Sequence, residues 1–142
     1  MPSEIQRHVF EVNATAAAVP VARHHAADVL RGWNLDPDVV FTAGLILTEL
    51  VTNVAQHAVV LSPTATVTLL ADDDALTLAV ADRHPFRPRA LPAAHNRGGR
   101  GLALVKQLAE EVGGTHDVLP EPATGGKSIE IRLPLARAAM PA

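Results

Sequence analysis

Three residues in this chain have types and spacing suited to shared chemistry. Glu49, Asn53 and His57 recur every four residues. On a helix that spacing puts them on one face. A carboxylate one turn from an amide can form a small polar site. Glu49 can accept a proton there, and the Asn53 oxygen can hold a hard cation such as Mg²⁺. The same spacing also occurs on helices that simply turn a polar side to water.

A second group is the string Asn96-Arg-Gly-Gly-Arg-Gly-Leu102, directly before a helical stretch. Gly98, Gly99 and Gly101 let backbone N–H groups approach phosphate oxygens. A helix N-terminus adds partial positive charge, and Arg97 and Arg100 add full charges. The alternative is a flexible turn that happens to precede a helix. The string is not a Walker A loop, because no Gly-Lys-Ser/Thr follows at the required spacing. Nor do its glycines match the Rossmann fingerprint.

Asp82 closes an apolar strand and can accept hydrogen bonds from an exocyclic amine; a strand-terminating turn residue is the commoner role for Asp. Residues 83–100 hold five arginines, two histidines and no acid. That local positive field suits a polyphosphate or an acidic partner. DNA ranks low, since no aromatic interleaving or recognition helix supports it. His24-His25 offers no i, i+4 ligand pair, HExxH is absent, and there is no G-x-S-x-G elbow.

The elements that must position these groups follow from periodicity. Residues 8–12 read as a short edge strand. Ala16 to Arg31 reads as a helix, capped from Asn13 or Thr15, with Pro20 in its first turn and Gly32 at its end. Asp36-Pro37 starts a second helix that runs to about Ala58, with an apolar stripe of Leu47, Leu50, Val51, Val54 and Ala58. Thr64–Ala71 and Ala75–Ala81 read as paired strands around an Asp72-Asp73-Asp74 turn. Arg83 to Arg97, with three prolines, reads as a long loop. Arg100–Val112 reads as a third helix with Leu102, Leu104, Val105, Leu108 and Ala109 apolar. Strands at 115–119 and 127–133 complete the set. The expected fold is a two-layer α/β (α+β) sandwich, its mixed, mainly antiparallel sheet covered on one face by about three helices.

Composition narrows the function. The chain has 142 residues, 48% hydrophobic and 19% charged, with a net charge of −3. One domain over 1–142 is expected, with a core from about 8 to 134 and a frayed tail at 135–142. Aromatics are only 3%, so Ala, Val, Leu and Ile must build the core. Full disorder is excluded, and the acidic balance argues against a generally basic nucleic-acid binder while leaving room for a local basic patch. There is no cysteine, which removes disulfides, zinc-thiolate and iron–sulfur sites and Cys nucleophiles. No run approaches 18 uninterrupted apolar residues, and the first twelve residues lack the pattern of a secretory signal. A cytoplasmic protein is the expectation.

The order of these pieces is informative: Glu49-Leu-Val-Thr-Asn53-Val-Ala-Gln-His57-Ala58, then Val80-Ala-Asp82, then Gly98-Gly-Arg-Gly101-Leu102 with its helix, then a last strand opened by Gly126-Lys127-Ser128. Over residues 8–134 the chain resembles the histidine kinase/Hsp90-like ATPase superfamily (GHKL, the Bergerat fold). The likeness is greatest to its short branch of anti-sigma factor serine kinases and actinobacterial ATP-binding regulators.

The resemblance implies specific roles. Asn53 would hold Mg²⁺ bridging the ATP phosphates, with His57 in the same ATP-binding string. Asp82 would read the adenine amino group. Gly98, Gly99, Arg100, Gly101 and Leu102 would meet the phosphates, and Ser128 would help bind the base. Glu49 would act as general base, deprotonating a serine on a partner protein. Arg23 falls near a partner-contact position of the anti-sigma branch. One departure stands out: His84 and Phe86 replace the glycines that usually follow the aspartate. The implied function is an ATP- and Mg²⁺-dependent regulator with serine/threonine kinase activity toward a small anti-anti-sigma-like protein. A sigma factor is an implied second partner, and a homodimer is left open. The rival is a non-catalytic interaction module with a vestigial nucleotide site.

Overall fold

The computed structural model describes residues 5–57, 64–82, 98–121 and 126–135. Among them the order is β1 (Gln6–Asn13), α1 (Ala18–Gly32), α2 (Pro37–His57), β2 (Thr64–Ala71), β3 (Ala75–Asp82), α3 (Gly98–Glu111), β4 (Thr115–Glu121) and β5 (Gly126–Pro134). The five strands form one sheet in the order β1-β2-β3-β5-β4. Every neighbouring pair is antiparallel, so the expected mixed character is absent. The reason is connectivity. β3 and β4 run in the same direction with α3 between them, and β5 returns to fill the gap, antiparallel to both.

Burial follows the strand period of two. In β2 alternate residues Ala65, Val67, Leu69 and Ala71 are buried, and β3 and β5 contribute Leu76, Leu78, Val80, Ile129, Ile131 and Leu133. The helices lie on this face. α2 sends Ile46, Leu47, Leu50, Val51 and Val54 into the core, α1 sends Ala22, Ala26 and Leu30, and α3 sends Val105 and Ala109. The expected α2 stripe is therefore buried as far as Val54; Ala58 lies outside the described residues. Leu104 departs from expectation and is exposed. By length and composition α2 could cross a membrane; here it is the central helix, packed on α1, α3 and β3.

Local chemistry sets the boundaries. Asp36 caps α2: its Oδ1 accepts the Asp38 N–H at 2.8 Å. α1 starts without a side-chain cap, at Ala17, so the expected capping by Asn13 or Thr15 does not occur. Nor does Gly32 carry the turn that ends α1. Asn34 does, with φ 62°; asparagine is one of few non-glycine residues that tolerate this region. α3 closes on Gly113 (φ 79°), and the Gly114 N–H donates to the Ala109 carbonyl at 2.8 Å. A Cβ at Gly114 would collide with the Arg132 carbonyl oxygen of β5, so only glycine fits this crossing.

Candidate functional site

The expected site residues lie on four elements, α2, β3, α3 and β5. On α2, Glu49 is half-buried and Asn53 is buried at 6% exposure. The His57 side chain lies outside the described residues. Asn53 falls on the core-ward side of the Glu49 face, next to Val54. Among the described residues its side-chain amide makes no hydrogen bond. A buried amide without a partner costs about 1–3 kcal/mol.

Asp82 ends β3 and Gly126 opens β5, at the same end of the sheet. Asp82 is 4% exposed. In register it faces Lys127, whose Nζ lies 3.0 Å from the Asp82 Oδ2. Both side chains are largely removed from water, so this is a buried ion pair. It projects to the helix side, in series with Leu78 and Val80.

The same register places Ser128. Ser128 pairs with Ala81, not Asp82. Alternation therefore turns its side chain to the opposite sheet face. Ser128 is buried, but Lys127 is the β5 residue that meets Asp82. Lys127 opens the strand in sequence and carries no expected role there. The signal was the two-residue period counted back from Ile129, and it becomes decisive only once the β3–β5 register is known.

The glycine string also shifts. The helix begins at Gly98, not Arg100, so Gly98, Gly99, Arg100 and Gly101 form the first turn of α3 rather than a turn ahead of it. The leading N–H groups of a helix have no intrahelical acceptor and carry its positive end. Leu102 is partly buried against the core and anchors that turn. The basic segment 83–97, with His84, Phe86 and the prolines, lies outside the described residues. So do the Arg100 side chain, the 122–125 turn and residues 136–142. Arg23 lies on α1, its guanidinium 3.4 Å from the Thr48 Oγ1, beside a groove between α1 and α2.

Among the described residues no group of three or more His, Asp or Glu is arranged to hold a metal. Mg²⁺ does not demand one. It keeps several waters and takes one or two protein oxygens plus substrate phosphates. The buried amide of Asn53, without a partner among the described residues, fits that sparing role.

The described residues form an open antiparallel sheet with helices packed on one face. Residues 12–132 match the family model of the histidine kinase-like ATPase domain, and the chain belongs to that family. Among solved structures, a SiaB–SiaC complex from Pseudomonas aeruginosa matches 90% of this chain and 89% of its own, at 15% identity and TM-score 0.53. That likeness shows the fold. A mycobacterial sensor histidine kinase, MprB, matches 65% of this chain and 74% of its own, at 28% identity and TM-score 0.46. No curated protein sequence matches the chain.

Proposed function

We propose that this domain binds Mg-ATP and acts as a cytoplasmic regulator of the anti-sigma type, transferring phosphate to a serine or threonine of a small antagonist protein. Membership of the ATPase family supports the nucleotide. The observation that carries the reading is Asn53, a buried amide without a hydrogen-bond partner among the described residues, one helical turn from Glu49. Asn53 would hold Mg²⁺, whose charge would offset that of the phosphates. The first turn of α3 would face the phosphates, Asp82 would take the base amino group, and Glu49 would accept the hydroxyl proton. Glu49 is accessible enough to meet a partner's side chain.

Calorimetric titration with ATP, with and without Mg²⁺, tests the site. Binding should strengthen with Mg²⁺ and disappear in Asn53→Ala. Glu49→Ala should keep binding and stop phosphoryl transfer. Asn53→Ala binding Mg-ATP as well as the parent would overturn the assignment.

A second reading has its own observation. The Asp82 carboxylate is already engaged by Lys127, as expected of an interaction module whose base subsite no longer reads adenine. Under that reading the parent shows no binding at millimolar ATP.

A further inference from the structure

Away from that site, two histidines from different elements meet at the outer end of the sheet. His8 lies on β1 and His25 on α1, and their Nε2 atoms are 2.9 Å apart. Seventeen residues separate them in sequence, so the fold, not a local motif, brings them together. Phe10 fixes both rings. It packs edge-on against His25, with centroids 4.5 Å apart, and tilted against His8 at 5.6 Å. His25 is exposed and His8 partly so, which leaves the pair within reach of solvent ions.

We infer that His8 and His25 form a two-imidazole chelate for a divalent transition-metal ion of the nickel or copper type. Geometry is the ground. Two imidazole nitrogens at about 2.0–2.1 Å from one metal lie about 2.8–3.0 Å apart when they subtend a right angle, and about 3.3–3.4 Å apart at the tetrahedral angle. The observed 2.9 Å matches the right angle, which is the cis arrangement of tetragonal Ni²⁺ and Cu²⁺. Without metal, one Nε2 carries a proton and donates it to the other. With metal, both rings hold their proton on Nδ1 and offer the Nε2 lone pair, and water fills the remaining positions. Chelation spans a strand and a helix, two rigid elements, so little order is lost on binding. The ion would clip the edge strand β1 to α1.

The test uses the full chain without a histidine tag, titrated with NiCl₂ by calorimetry. The parent should show one saturable site. His8→Ala and His25→Ala should each weaken it at least tenfold, and the double variant should be no worse than either single one, because chelation needs both rings. His24→Ala, on the neighbouring position of α1, should bind as the parent does. Ni²⁺ should raise the melting temperature of the parent but not of the two single variants. A spectroscopic arm needs no substitution: Cu²⁺ bound to the parent should show two equatorial imidazole nitrogens by electron paramagnetic resonance. Parent-like Ni²⁺ affinity in either His8→Ala or His25→Ala, one nitrogen or none on Cu²⁺, or no saturable site in the parent would overturn the inference and leave the contact a hydrogen bond alone.

Discussion

Lys127 and Asp82 face each other in register across β3 and β5, ammonium to carboxylate at 3.0 Å, with side-chain exposures of 11% and 2%. Two opposite charges thus stand where two apolar strand series end. Removing ions from water is costly, and their mutual attraction offsets that cost only while both are present. The pair therefore fixes how the ends of β3 and β5 meet, at the place where the proposed base subsite lies.

Lys127→Met should leave the Asp82 carboxylate buried without its cation. Loss of one partner of such a pair costs about 3–5 kcal/mol, read as a lower urea midpoint. Adding Asp82→Asn should recover part of that loss, giving a coupling of at least 1 kcal/mol in the double-mutant cycle. Equal stability of Lys127→Met and parent would show that the pair contributes nothing.

Asn53 should trade stability for binding. Asn53→Leu replaces a buried amide that has no partner among the described residues by an apolar side chain of similar size. The metal-free, nucleotide-free protein should gain about 1 kcal/mol or more, while binding of Mg-ATP is lost. Thermal melts with and without Mg-ATP measure both effects. A destabilised Asn53→Leu would mean the amide is already satisfied.

Asp72 carries a pH dependence. Its Oδ1 accepts the N–H groups of Ala75 at 2.9 Å and Asp74 at 2.7 Å, and these bonds, Ala75 first, hold its carboxyl below its ordinary pKa. A group depressed in the folded state adds stability above its unfolded pKa and loses it as pH falls through the folded value. The β2–β3 hairpin should therefore weaken in acid, below the ordinary carboxylate range. Asp72→Asn keeps an acceptor oxygen but cannot titrate. Its stability profile should be flatter there than the parent's, measured by urea unfolding from neutral to acid pH.

Two glycines should respond in opposite ways to alanine. At Gly114 a Cβ meets the Arg132 backbone, which cannot move aside cheaply. Gly114→Ala should cost about 1–3 kcal/mol. At Gly32 a Cβ meets nothing within 4 Å. There alanine should be neutral or stabilising by up to about 1 kcal/mol. Melting temperatures of the two variants decide the contrast.

Much of this molecule was legible in local pattern. Periods of two and of about four located the strands and helices, because burial on one face acts on every residue of an element alike. The Asp36 cap and the Asp72 turn were legible for the same reason: their partners lie within three residues. The four-residue spacing of Glu49 and Asn53 put both on one helix before any fold was known, and the proposed site rests on it. What local pattern could not supply was the partner across the sheet. That Asp82 meets Lys127 and not Ser128 depends on the β3–β5 register, and a shift of one residue exchanges the two faces. That β5 enters between β3 and β4, making every neighbour antiparallel, depends on the order in which distant strands pair. That His8 stands against His25 depends on how α1 crosses β1. In each case the deciding contact joins residues far apart in the chain, so composition and spacing named the groups and packing alone chose their partners.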